Sequence, residues 1–230
     1  MSTAPWPEDP ELPVLPGSPI AGNLQHALKA GRHGLPPDAV AANQRERLIN
    51  AFARVAAENG YAHTTISQVT DTAGVSKKTF YVHFPSLEEC FLAAYEHGSK
   101  LLLAQMFRAY NAETDWRDAV REALRTLFRV LAAEPAFARI SVIETSAAGH
   151  KVRSARIRVT AGYRDFLIGP AMPRVPGVIR DSIIGGIYST IYSYIEMGRT
   201  ADLPELVPAM TYFALLPFLD RDEAAKELDR

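Results

Sequence analysis

Residues 64–95 read TTISQVTDTAGVSKKTFYVHFPSLEECFLAAY, and their punctuation decides the fold. Thr65 has the side chain of a helix cap, and Ile66 and Val69 behind it place one apolar face inward. Gly74 follows where a tight turn requires the left-handed conformation, and Val75 adds an apolar group just beyond it. Ser76 caps a second helix that carries Lys77, Lys78 and Thr79 in its first turn, then Phe80, Tyr81, His83 and Phe84. Two short helices crossing over such a turn form a helix-turn-helix. A recognition helix presents its N-terminal residues to base edges, and here those positions hold two lysines, a hydroxyl and, one turn later, a phenol.

The run AGVSKKTFYVHF followed by the capped SLEECFLAAY resembles the DNA-binding signature of the TetR family of bacterial transcriptional regulators. The family places another helix first, and Asn43 to Asn59 fits, with Leu48, Ile49, Phe52, Val55 and Ala56 at helical spacing and Gly60 as the stop. The resemblance implies that Thr65, Lys77, Lys78, Thr79, Tyr81 and His83 face double-stranded DNA, beside the capping Ser76. Thr65 and Tyr81 would meet phosphates, and Lys77 and Lys78 would lie nearest the bases. Ala73, Val75, Phe80 and Phe84 would form the small core. One departure stands out: the family usually places a phosphate-binding lysine near the start of the next helix, where this chain has Leu87. Losing one such contact lowers the salt dependence of binding by about one unit of slope.

Upstream, residues 1–36 are rich in proline and glycine and are expected to form a flexible arm. Within it, Arg32 and His33 sit between glycines, a composition that suits either a minor-groove arm or a plain linker. Pro36 and Pro37 bar a helix from running back into the arm, and Asp38 is a candidate cap. The helix-turn-helix unit is then expected over 37–86, and a helical domain over 87–230.

Downstream, a helix is expected from Ser86 past Leu103, joining the two units. The clearest amphipathic helix begins at Trp116, with Ala119, Val120, Ala123, Leu124, Leu127, Phe128 and Leu131 on one face and Arg117, Arg121, Arg125 and Arg129 on the other. Further helices are expected over 136–148, opened by Pro135, then over 151–168, 178–197 and 203–219. With no strand-like alternation, the predicted fold is all-α.

The resemblance implies that this C-terminal bundle binds a small molecule and pairs with a second copy through its last two helices. For the homodimer seam, Gly185 and Gly186 invite close approach beside Ile184, Ile187, Ile191 and Ile195, or else ease a contact within one subunit. For the ligand site, Glu144 stands among apolar neighbours and must be paired, protonated or exposed. If it points inward, it orients a polar or cationic ligand beside Phe128, with Tyr163, Tyr188 and Tyr192 as amphipathic walls.

Composition narrows the alternatives. The balance of 25 basic and 26 acidic residues gives no global field for nucleic acid, so attraction must be local. Cys90 is the single cysteine, which excludes an internal disulfide, and buried placement is its simplest reading. No nucleophile elbow, phosphate loop or metal-ligand spacing occurs, so neither an enzyme nor a metal or cofactor is expected. MSTAPWPEDPELP begins acidic and proline-rich, and the apolar runs at 183–195 and 210–219 are short or broken, so a cytoplasmic protein is expected. The resemblance implies a homodimeric regulator that represses until a small-molecule effector releases it from a pseudo-palindromic operator. The alternatives are a regulator without an effector and a helical sensor that has lost its DNA.

Overall fold

The computed structural model describes residues 14–19, 36–168 and 175–230, and those residues contain helices and no strands. The first helix, α1, spans Pro37–Asn59. It begins with proline at its first position, so Asp38 lies inside the first turn and is not the cap. Gly60, at φ +78°, ends it. Next, α2 (Ile66–Ala73) opens with a reciprocal capping box between Thr65 and Gln68 and closes at Gly74, at φ +62° and ψ +40°. Ser76 then caps α3 (Lys77–His83), its hydroxyl oxygen accepting from the Thr79 amide at 3.0 Å.

Ser86 caps α4 (Leu87–Ala112), whose Phe91 packs against Phe52 of α1, with ring centroids 5.0 Å apart. Tyr61 closes this aromatic cluster at 5.1 Å from Phe91. The cluster is the apolar joint between the helix-turn-helix unit and the rest of the chain. Cys90 is fully buried in the same joint, its thiol facing the Leu48 carbonyl, and burial pushes its pKa up.

The larger bundle contains α5 (Trp116–Ala133), α6 (Pro135–Val142), α7 (His150–Gly162), α8 (Gly177–Glu196), α9 (Val207–Leu215) and the short α10 (Arg221–Ala225). Short 3-10 segments over Glu144–Ser146, Tyr163–Leu167 and Thr200–Leu206 break what periodicity alone reads as longer helices. Arg121 departs from the outer face of α5 to which its spacing with Arg117, Arg125 and Arg129 assigns it. It is buried, and its Nε and guanidinium nitrogen donate to the two oxygens of buried Glu227 at 2.7 and 2.8 Å. A bidentate pair of this kind ties the C-terminal turn to α5.

The expected flexible arm over 1–36 is also corrected, at residues 14–19. Leu15 and Ser18 are fully buried. Gly17 donates its amide to Asn50 Oδ1 at 3.0 Å, and Arg54 donates to the Ser18 carbonyl at 2.9 Å. Gly17 has φ +88°, and a Cβ there would lie 2.9 Å from Ala136 Cβ and 3.0 Å from Ala53 Cβ. The segment therefore straps α1 to the start of α6. Arg32, assigned to the same arm, lies outside the described residues.

Candidate DNA-facing surface and interior cavity

Phe80 anchors α3 by being fully buried, with Phe84 and Ala73 around it, and this fixes which residues point away from the protein. Lys77, Lys78 and Tyr81 form the outward face, and Tyr81 is 57% exposed. Neither lysine is in an ion pair among the described residues. Thr79, half buried, shares a hydrogen bond with Ser76 at 2.9 Å, so both hydroxyls sit at the start of the helix. Thr65 is exposed at the start of α2. His83 departs from this set: it is half buried and turned toward α1, with Nε2 3.3 Å from Gln44 Oε1. Burial, helped by the nearby Arg45 charge, lowers its pKa, so it adds no standing charge to the exposed row. Leu87 packs against the core rather than facing outward.

Within the bundle, α4 to α9 enclose a cavity of about 100 Å³. Its walls are aliphatic and aromatic, among them Leu102, Met106, Val120, Leu124, Leu127 and Phe166, and no charged side chain lines it among the described residues. Hydroxyls supply its polarity: Tyr95, Ser99, Ser141, Thr160, Tyr163 and Tyr188. Burial holds the Tyr163 phenol up at about 12 and pushes Tyr95 up as well, so both remain neutral hydrogen-bonding groups. Tyr188 donates to the Val142 carbonyl at 2.7 Å and accepts from Arg156 at 3.2 Å.

Of the residues that the sequence suggested for a ligand, Tyr163 and Tyr188 are here. Phe128 is not part of this lining and is instead fully buried in the packed core. Tyr192 is exposed on the outside of α8, because each i to i+4 step along a helix turns about 40° and this one leads away from the cavity. Glu144 is buried but lies outside the lining. Its Oε2 accepts from the Tyr61 amide at 2.8 Å, and Arg139 Nε stands 3.4 Å from its Oε1. It is a junction residue, joining the turn after α6 to the turn after α1. Tyr95, Ser99 and Thr160 escaped sequence reading, though a hydroxyl on an otherwise apolar helix face is the signal that marks them.

The isoleucines assigned to a dimer seam are also placed differently. Ile184, Ile187 and Ile191 are buried and line the cavity, and Ile195 is buried in the same core. Gly186 serves a contact within the protomer, since a Cβ there would meet the Phe213 ring at 2.9 Å. Gly185 is exposed with open space over it. With Val178, Ser182, Ser189 and Tyr192 it forms an outward stripe on α8, near the partly exposed Phe213 and Leu216 at α9.

Comparison with known proteins agrees with this architecture. The sequence profile of the family described as bacterial regulatory proteins, tetR family, matches residues 48–94. The chain is 41% identical to the HTH-type transcriptional regulator YerO of Bacillus subtilis (strain 168) over 54 residues, 24% of this chain and 19% of that protein. This alignment thus spans about a fifth of the relative's length. It is 21% identical to the fatty acid metabolism regulator protein of the same organism over 170 residues, 70% of this chain and 88% of that one. Among solved structures, the transcriptional regulator FadR from Bacillus subtilis in complex with stearoyl-CoA matches with a TM-score of 0.66 at 18% identity, covering 74% of this chain and 97% of that chain. No helix among the described residues is long and apolar enough to cross a membrane, and no group of residues there could hold a metal ion. The helix-turn-helix region, residues 48–94, is thus similar to that of the tetR family of bacterial regulatory proteins, and the all-helical fold built around it is similar to that of FadR.

Proposed function

We propose that this protein is a homodimeric repressor that holds a pseudo-palindromic operator through two copies of α3 and releases it when a small molecule fills the cavity. The observation that carries the DNA half is the outward row of Lys77, Lys78 and Tyr81 above a buried Phe80. Lysines at the start of a recognition helix reach base edges, and the Tyr81 phenol and Thr65 hydroxyl suit phosphates. The outward stripe of α8, with Phe213 and Leu216, is the face assigned to the second copy. Small residues there let two helix pairs approach closely.

The cavity supports an effector, as does the stearoyl-CoA carried by FadR. A ligand displaces DNA only by favouring a state in which the two recognition helices no longer match a groove spacing of about 34 Å. The contacts offer a route for that preference. Tyr188 on the cavity wall holds the Val142 carbonyl, and two residues later Glu144 holds the Tyr61 amide of the DNA-binding unit. Pushing Tyr188 outward therefore strains the junction.

The test is selection of binding sites from random duplex DNA, followed by footprinting of the selected site. A protected pseudo-palindrome is expected, and Lys77→Ala with Lys78→Ala should cost about 1–3 kcal/mol for each base contact removed. Failure to select any site, or an unchanged affinity in the double variant, refutes the assigned reading surface.

A further inference from the structure

The polar groups of the cavity are not scattered. Tyr163 and Tyr188 stand close enough to Tyr95 to add to the burial that raises its titration, Tyr188 acts likewise on Tyr163, and Arg156, outside the lining, opposes the rise at Tyr95. Thr160, Ile184 and Tyr188 line this end of the cavity and also an open groove of about 350 Å³ between α7 and α8. They therefore stand between the apolar interior space and the more open groove. Among the described residues of the groove, Gly185 alone lies on the stripe assigned to the dimer, so the α7 side of the groove lies clear of that face.

Among the described residues, the groove holds three charged side chains, Arg156, Arg164 and Asp181. Arg164 pairs with Asp181. Arg156 has no carboxylate partner among the described residues. Its guanidinium donates to the Tyr188 hydroxyl at 3.2 Å, and its Cζ lies 5.7 Å from the centre of that ring. The other basic residues of α7 are engaged elsewhere: Lys151 with Glu89, Arg158 with Glu96, and Arg153 with the Ala148 carbonyl. Arg156 is thus a cation with unused donors at the outer side of a tyrosine whose inner side faces apolar space. A guanidinium fork is matched to carboxylate and phosphate oxygens.

We propose that the effector is an anionic amphiphile, its apolar chain lying in the cavity and its charged head held by Arg156 in the α7–α8 groove, with Tyr188 as the gate between them. This rests on the reading of the cavity as an effector site and names the ligand class. A chain that joins the two spaces must swing the Tyr188 ring aside, which breaks its hydrogen bond to the Val142 carbonyl. Entry of the ligand and loosening of the Glu144 junction then share one residue. A neutral molecule of the same length gains the apolar contacts but leaves the Arg156 donors unmatched.

The experiment uses the full chain, with binding followed by isothermal titration and, separately, by release of a selected operator fragment. The probes are palmitate, palmitoyl-CoA, hexadecanol and coenzyme A alone, each below its micelle concentration. An anionic chain should bind at least about tenfold more tightly than hexadecanol, a difference of about 1.4 kcal/mol, and coenzyme A alone should not bind. Palmitate and palmitoyl-CoA separate a carboxylate head from a phosphate-bearing one, and preference for either over the alcohol supports the proposal. Arg156→Leu should erase that preference while hexadecanol binding stays unchanged, and Arg156→Lys should restore part of it. Equal binding of acid, thioester and alcohol overturns the proposal, as does an Arg156→Leu protein that keeps the preference. Binding by none of the chains, with DNA binding intact, overturns the effector reading of the cavity and this proposal with it. Loss of selected-site binding without any ligand instead indicts the DNA-binding reading.

Discussion

Glu144→Ala is the sharpest probe of the junction between the DNA-binding unit and the bundle. The substitution removes a buried carboxylate that accepts from the Tyr61 amide at 2.8 Å. A hydrogen bond to a charged group contributes about 1.5–3 kcal/mol, and its loss leaves the amide without its acceptor. Arg139, at 3.4 Å and 39% exposed, adds little because solvent screens it. The net cost is then about 2 kcal/mol, which for a chain of this size lowers the melting midpoint by about 4–8 °C. Glu144→Gln keeps an acceptor oxygen and should lose about half as much. Circular dichroism melting gives the size of the effect, and hydrogen exchange at the Tyr61 amide gives its place. If Glu144→Ala melts within about 1 °C of the parent, or Tyr61 keeps its protection, the junction assigned to Glu144 does not exist in solution.

The strap supplies a second test, because Leu15→Ala empties a fully buried site. Core replacements of this type cost about 2–5 kcal/mol, but a terminal segment can detach on its own, so the expected sign is proteolytic cutting within 14–19 well before global unfolding. Glu134 accepts hydrogen bonds from the Ser18 side chain and the Leu15 backbone, yet burial outweighs them and raises its carboxyl to about 7. A folded pKa above the unfolded one contributes stability that is complete below the ordinary range near 4.5 and is lost as pH rises through about 7. Melting midpoints of the parent should therefore fall between about pH 4.5 and 7 relative to those of Glu134→Gln, and parallel curves would contradict the assignment. For the dimer, Gly185→Arg has open space in the protomer and should leave the fold intact while converting the protein to monomer in sedimentation. A persistent dimer removes the α8 stripe from consideration.

The DNA-binding unit was legible in the sequence because its signals are local. Thr65, Gly74 and Ser76 set caps and turns within a few residues of themselves, and Phe80 takes its buried place from helical spacing. The bundle was legible only as apolar periodicity. Arg121 finds Glu227 across 106 positions, and nothing in the pattern around α5 announces that partner. Ile184, Ile187 and Ile191 illustrate the same limit, since a spacing identifies an apolar stripe without saying whether a cavity or a second subunit covers it. Glu144 was singled out for being a carboxylate among apolar residues, but its partner, Tyr61, lies 83 positions away. Leu15 was hidden for a different reason: proline and glycine mark irregular backbone, and irregular backbone can still be packed.

The placement of Cys90 makes the molecule its own clock. As the one thiol in the chain, buried against the Leu48 carbonyl with its pKa raised, it is shielded from alkylating reagents while α1 and α4 stay together. Its rate of modification therefore counts separations of those two helices, without any label being introduced. A reactive cysteine engineered on the outward face of α3 would be modified first and alone, so the same protein can carry a dye on that helix while its native thiol times the opening of the joint behind it.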